Sequence, residues 1–538
     1  MRQLLPRIIN RFRKTSLDLQ SNRRLLQITH QVAQNARVKS DQQPVAFFNA
    51  STRLSGISLN ASFSFLAACG LQLAGIPVVY FTCKSGMRRC VLGTKQENIT
   101  SPPPCKACIA QSRWLFSNAP SIPFTYSRDE KLVKILQDLG VAEMSGLEYN
   151  NVPLGRIVLP SVRWALRRYH LNNDAPTRLL FSEYLLSAQC VSHEFAKFLA
   201  QVQPATVVVF NGIYYPESTA RWIAQQRGLR VISHEVGILP YSAFFTEGEA
   251  TAYPMDIPVD FELTPTQDTR LDDYLEKRLK GRFSMAGIVF WPEIRGLDEA
   301  FLQRAIQFRQ IVPIFTNVIF DTSQLYANTV FPNMFAWLDK LLEIIHRHPE
   351  TLFVVRAHPD ELRPGKTSRE AVQDWVREKQ VQSLSNVIFI NSNEYMSSYE
   401  LIQRSKFVMV YNSSIGLEAV LMGSAVLCAG KARYTALPTV ILPESIQAYE
   451  QQVEAFLAID KIEVPAEFKR NARRFLYYQL FRSSLPFSDF LQEDGIWPGF
   501  VRLKKFNSQA LSPSASPTIK TILSGILENG DFLLTSDL

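Results

Sequence analysis

Apolar, β-prone runs alternate with helical patterns twice along this 538-residue chain, and that double rhythm limits the fold more than any other feature. The first strand candidates are 44–50, 77–82, 206–212 and 229–237, with helix candidates at 58–74, 130–139, 183–203 and 216–227. The pattern restarts after "RFSMAGIVF" (282–290). Strand candidates follow at 311–318, 352–359, 386–391, 407–413 and 425–430, and helix candidates near 333–347, 368–380, 397–404 and 415–422. Strands that recur with a helix between them pair in parallel and bury both faces. Two such sets imply an α/β chain with two Rossmann-like, doubly wound parallel-sheet domains. The length agrees, because it exceeds what one core organises. The expected divisions are a basic extension over 1–43, a first domain over 44–285 with a cysteine-rich insertion at 83–108, and a second domain over 286–462. Closing helices are expected over 463–504 and a mobile, Ser/Pro-containing tail over 505–538.

One stretch invites a different reading. "ASFSFLAACGLQLAGIPVVYFTC" (61–83) is nearly uncharged and long enough to span a bilayer. Gly75 and Pro77 divide it, so the favoured reading is a buried helix followed by a buried strand. Net charge is +9, but residues 1–43 hold nine Lys or Arg against Asp18 and Asp41, a net +7. The basic balance therefore describes the extension and not the body. No body segment interleaves basic and aromatic residues at length, so no nucleic-acid partner is expected. The extension lacks the apolar run of a secretory signal. With Leu4, Leu5, Ile8, Ile9 and Phe12 among arginines, it reads either as a solvated helix or as a peripheral contact with a membrane surface. The chain is expected in the cytoplasm, with residues 1–40 available to the inner membrane face.

In doubly wound sheets, ligands bind outside the carboxyl ends of the strands. Four strand ends of the second half are polar: Thr316 and Asn317 with Asp321 following, Arg356 and His358 before Pro359, Asn391 to Glu394, and Asn412, Ser413 and Ser414. A nucleotide phosphate needs donors and positive potential, which hydroxyls and a helix N-terminus supply. Gly416 would permit close approach. Glu418, one helical turn after Ser414, would accept from ribose hydroxyls, and His358 would meet the leaving phosphate. Each residue also has a plain structural reading: N-caps for Ser413 and Ser414, a first-turn acid for Glu418, a strand terminus for His358.

"VVRAHPDE" and "YNSSIGLEAVLMGSAVLCAG" together resemble the C-terminal half of bacterial capsule and surface-polysaccharide glycosyltransferases of the GT-B type, including transferases of Kdo-like and sialic-acid-like sugars. The matching positions are His358-Pro359, Ser413-Ser414 and Glu418-Ala419, with Ala425 where the family usually has proline. The resemblance runs over about 200–435. It implies two domains facing across a cleft, the nucleotide-sugar donor (a CMP-linked one among the candidates) on the second, and a saccharide or lipid-linked saccharide acceptor on the first.

On the acceptor side, Asn211, Gly212 and His234 stand at two strand ends, and Glu235 is the best-placed candidate for the base that takes the acceptor's proton. Relatives carry an acidic pair before glycine, where this chain has Glu235-Val236-Gly237, and a structural role for Glu235 stays open. Transfer of this type needs no metal, because dipoles and side chains stabilise the leaving phosphate.

Of seven cysteines, Cys69, Cys190 and Cys428 lie in apolar runs and read as buried thiols. Cys83, Cys90, Cys105 and Cys108 cluster. Their final C-x-x-C is a usual metal half-site, whereas the first spacing is not. Structural zinc, free or redox-active thiols, and an iron–sulfur cluster are the readings left open. The expected function is metal-independent glycosyl transfer. The alternatives are a polyol-phosphate transferase with a CDP-linked donor and a non-catalytic nucleotide-sugar-binding assembly protein.

Overall fold

The structure, a computed structural model, describes residues 4–39, 41–50, 56–279, 295–363, 365–495 and 499–535, without the side chains of 4–14. The 282–290 restart, the boundary expected at 285, and the apolar face of Leu4, Leu5, Ile8, Ile9 and Phe12 lie outside that description.

Among the described residues the strands are, in chain order, β1 (Val45–Asn49), β2 (Ile57–Ser58), β3 (Val78–Cys83), β4 (Ser121–Phe124), β5 (Thr206–Phe210), β6 (Arg230–Val236), β7 (Ser242–Glu247), β8 (Gln310–Phe315), β9 (Thr351–Arg356), β10 (Val387–Ile390), β11 (Val408–Val410), β12 (Val426–Cys428), β13 (Leu485–Pro486), β14 (Leu491–Glu493) and β15 (Phe500–Leu503). They make a seven-stranded sheet ordered β13-β7-β6-β5-β1-β3-β4, a five-stranded sheet ordered β10-β9-β8-β11-β12, and a small sheet β14-β15-β2. The second sheet is parallel throughout. The first is parallel from β6 to β4, with β7 and β13 antiparallel at one edge. These are the two doubly wound, Rossmann-like sheets expected from the alternation of strands and helices.

Alternation along each strand sends side chains to opposite faces. In β1, Ala46 and Phe48 enter one core while Val45 and Phe47 enter another. In β9, Phe353 and Val355 face one core and Leu352 and Val354 the other. Both sheets are therefore covered on both sides, which is why their strands read as continuous apolar runs.

The strand order fixes where ligands can sit. In the second sheet the chain runs outward from β8 through β9 to β10, then starts again on the other side with β11. The direction reverses between β8 and β11. In the first sheet it reverses between β1 and β5. Crevices form at such reversals, at the carboxyl ends of the strands.

The uncharged stretch at 61–83 is the helix Leu59–Leu73 and β3. No helix among the described residues is long and apolar enough to cross a membrane. The helix is apolar on every side because it is covered on every side. The sheet lies beneath it, and the helix Pro517–Leu527 packs over it so closely that a Cβ on Gly70 would come within 2.5 Å of Ile519. This corrects the expectation of a mobile tail. Leu511, Ile519 and Ile522 are fully buried in the first domain. The closing segment differs too. A helix spans Ala466–Tyr477 and a π-type turn Tyr478–Arg482, but the rest returns as β13, β14 and β15. The first helix spans Leu4–Asn35, and its later turns pack through Leu25, Ile28 and Val32 instead of standing free in solvent.

Candidate functional site

At the reversal of the second sheet, the ends of β8, β9 and β11 enclose a cavity of about 130 Å³. Thr316, Arg356, His358, Ser413, Ser414 and Glu418, named from the sequence, all line it. Thr316 follows β8 and donates its hydroxyl to the Arg356 carbonyl at 3.0 Å, tying two strand ends together. Arg356 ends β9, 3 % exposed. Burial pulls its guanidinium down to about 10 against the attraction of Glu394, so it is a cation at neutral pH.

His358 begins the turn Pro359–Leu362. Its Nδ1 accepts the Asp360 backbone N–H at 3.1 Å, which leaves Nε2 to carry the ring proton. Burial lowers its pKa, opposed by Asp360 and Asp321. The site therefore holds a neutral imidazole with one N–H to donate.

Ser413 and Ser414 open the short helix Ile415–Leu421. Ser414 makes no side-chain capping bond, so its hydroxyl is not spent on the helix. Gly416 is required by the packing of its own turn. A Cβ there would stand 2.3 Å from the Tyr434 hydroxyl, which donates to the Ser413 carbonyl at 2.7 Å. The glycine makes room for the tyrosine that fixes the serine turn. Asn317 and Asn412 are not cavity walls. The Asn317 side chain accepts from the Asn412 backbone N–H at 3.3 Å, and the Asn412 side chain accepts from Gln324 at 3.0 Å, so the pair joins β8 to β11 behind the cavity.

Glu418 is not a bare carboxylate. One oxygen accepts from Arg278 and the other from Tyr399, both at 2.6 Å, with Arg278 and Glu418 side chains each 9 % exposed. Burial opposes the charge of Arg278, yet Glu418 and its tyrosine neighbours hold its pKa above the ordinary value. Arg278 comes from the helix Pro265–Leu279 and carried no local sequence signal, because only the fold brings it 140 residues to Glu418. Tyr395, Ser397 and Ser398 complete the wall and were also missed.

The first domain presents its own reversal. Asn49 ends β1, and its Nδ2 has no hydrogen-bond partner among the described residues. Asn211, in a left-handed conformation (φ 59°) after β5, donates to Glu235 at 2.7 Å. Glu235 also accepts from the Val236 backbone at 2.8 Å and Asn60 at 3.4 Å. Burial raises its pKa, and these donors and Arg433 oppose the rise. Gly212 has a left-handed backbone (φ 85°), and a Cβ there would stand 2.8 Å from the Ser233 hydroxyl, so the turn requires glycine.

His234 corrects the sequence reading. It is fully buried among Phe63, Phe210 and Phe245, bonded to Ser64 at 2.9 Å, and burial lowers its pKa to about 3. Strand alternation explains this: neighbours in β6 face opposite ways, so Glu235 and His234 cannot share a crevice.

The two domains meet at these edges. Tyr326 donates to Glu249 at 2.8 Å, and Arg433 lies 3.8 Å over the Tyr253 ring. Exposed Asp321 acts electrostatically on Tyr214 and Tyr253 of the first domain and on His358 of the second.

Cys83, Cys90, Cys105 and Cys108 line a second, smaller cavity, and among the described residues no cysteine is in a disulfide. Burial pushes the Cys83 and Cys90 thiols up to about 12, with the other cysteines of the cluster adding to the rise. Cys69, Cys190 and Cys428 are buried thiols.

Residues 295–438 match the family model of capsule polysaccharide biosynthesis proteins. Every donor-side residue named from the sequence lies in that segment. A comparison with curated proteins gives no match. Similar solved structures include the beta Kdo 2,4 transferase KpsC of Thermosulfurimonas dismutans, at 13% identity and TM-score 0.34, covering 52% of this chain and 80% of that one. The beta Kdo 2,7 transferase KpsC of the same organism follows at 14% identity and TM-score 0.31, covering 55% and 84%. UDP-GlcNAc 2-epimerase from Neisseria meningitidis, bound to UDP-GlcNAc, gives 12% identity and TM-score 0.23, covering 82% and 99%. Likeness at this level assigns no residues.

Proposed function

We propose that this protein is a glycosyltransferase of capsule or surface polysaccharide synthesis that moves a sugar from a nucleotide-sugar donor, a CMP-linked one among the candidates, to a saccharide or lipid-linked saccharide. The observation that carries the reading is one cavity. Thr316, Arg356, His358, Ser413 and Ser414 come from three strand ends and meet at the reversal of the second sheet, within the segment matching the capsule family.

The chemistry follows from those groups. Arg356 supplies positive charge, His358 an N–H, and the serines hydroxyls, all donors for phosphate oxygens. Glu418, held by Arg278 and Tyr399, offers its remaining lone pairs to ribose hydroxyls. Across the cleft Glu235 takes the proton of the acceptor hydroxyl. The acceptor oxygen bonds to the anomeric carbon, the bond from that carbon to phosphate breaks, and the nucleotide leaves with its charge met by Arg356 and His358. A carboxylate with a raised pKa is a stronger base, which supports Glu235 in this role. The donors require no metal, and the cysteine cavity takes no part in this transfer. The net +7 of residues 1–43 supports peripheral contact with an anionic membrane face.

The test is product analysis of the full chain with CMP-sugars, other nucleotide sugars and CDP-glycerol in the presence of saccharide acceptors. Sugar on the acceptor with stoichiometric nucleotide release supports the reading. CMP released from CDP-glycerol alone replaces it with polyol-phosphate transfer, and nucleotide-sugar binding without turnover replaces it with an assembly role.

A further inference from the structure

The insertion between β3 and the helix Cys105–Leu115 gathers four sulfurs without any use in glycosyl transfer. Cys83 ends β3, Cys90 lies in the following loop, and Cys105 and Cys108 sit three apart on the first turn of the helix, so they share a face. All four line one cavity of about 20 Å³, room for about one water-sized occupant. The rest of the wall is largely apolar, including Met87, Leu92, Pro103 and Ile109, and holds no carboxylate or imidazole.

A second observation concerns the backbone. The sequence repeats Cys-x-x-Gly at 83–86 and at 90–93. At the first, the glycine N–H turns to the sulfur three residues earlier; at the second, it turns to the carbonyl of that cysteine. Gly86 donates to the Cys83 sulfur at 3.1 Å, and Gly93 donates to the Cys90 carbonyl at 3.2 Å, where a Cβ on the glycine would come within 2.8 Å of the Cys90 sulfur. The Gly86 bond fixes the Cys83 sulfur against the backbone of the loop. Between 83 and 108 there are five basic residues (Lys84, Arg88, Arg89, Lys95 and Lys106) against Glu97, which suits a centre of net negative charge.

We propose that Cys83, Cys90, Cys105 and Cys108 bind one zinc ion as a tetrahedral, all-thiolate structural site. An all-sulfur shell selects a soft divalent cation. Among the described residues no three His, Cys, Asp or Glu side chains already stand at metal-holding separations, so the ion draws the sulfurs inward as it binds. Each thiol that coordinates gives its proton to solvent. The site clamps a loop that reaches the second domain, where Arg369 donates to the Gln96 carbonyl at 2.8 Å. Metal therefore secures one contact between the domains.

The experiment is metal analysis of the untagged full chain, combined with thiol titration by an organomercurial and a zinc-binding dye. The expected result is about one zinc per chain, released as the cluster's thiols react. Cys108→Ser lowers the content below ~0.2 per chain and exposes the 84–104 loop to trypsin, whereas the control Cys190→Ser keeps it. Cobalt exchanged into the wild-type chain gives tetrahedral bands with thiolate-to-metal charge transfer, a readout that needs no variant to fold. Zinc below ~0.2 per chain with four titratable thiols, a mapped disulfide within 83–108, or acid-labile sulfide would each overturn the assignment.

Discussion

Gly416 and Tyr434 show how a binding turn is held from behind. The Tyr434 hydroxyl fills the space where a Cβ of residue 416 would go and fixes the carbonyl of Ser413. Gly416→Ala must push the ring away, at about 1–3 kcal/mol, which chemical denaturation reads directly. The same variant should weaken nucleotide binding, because the serine turn loses its support. The sequence marked the glycine as a place of close approach for a ligand, and the structure sets a tyrosine there. The sequence could not say what approaches, because the tyrosine lies 18 residues on and reaches back only through the fold. His358, Ser413 and Ser414 were legible because each directly follows a strand in a doubly wound pattern. Arg278 and Tyr399 were not, since nothing around them marks a partner for Glu418. His234 was misplaced by taking two adjacent strand residues as one site.

At the scale of elements, the turn that carries His358 is pinned by Glu361. Its carboxyl is 1 % exposed and accepts the Val372 backbone N–H at 3.2 and 3.3 Å. Burial raises its pKa from 4.5 to about 8. Between those values the folded chain keeps a proton that the unfolded chain has lost. Its contribution to stability is therefore complete below about 4.5 and is lost as pH rises through about 8. Glu361→Gln keeps an acceptor for Val372 and removes the titration. Wild type should lose stability relative to this variant between pH 5 and 8.5, by a few kcal/mol at most, in parallel denaturation series. The parallel strands were legible from their apolar runs and the helices between them. The edge strands β7 and β13 were not, because short antiparallel additions carry no such rhythm. The C-terminal helix was read as tail because serines and prolines dominate 512–517, yet Ile519, Ile522 and Ile526 recur on one helical face. Deleting 505–538 uncovers the apolar helix Leu59–Leu73, and the account predicts insoluble protein or a fall in Tm of many degrees, seen in a melting scan.

Over the whole molecule, the two sheets bring their reversals to the same cleft. One side offers Asn49, Asn211 and Glu235, the other His358 and the serine turn, with Asp321 and Arg433 reaching between them. That arrangement was legible as two domains with polar strand ends. The bridging contacts were not, since they join residues as distant as Tyr326 and Glu249. The central claim is that the cavity at the end of β8, β9 and β11 holds the donor's nucleotide. Calorimetric titration of CMP, CDP and UDP into wild type and His358→Ala tests it most directly. The account predicts that at least one nucleotide binds wild type and binds the variant at least ~10-fold more weakly, with both ligand-free proteins melting alike. Equal affinity for the two proteins, or no binding to wild type by any nucleotide, would contradict it.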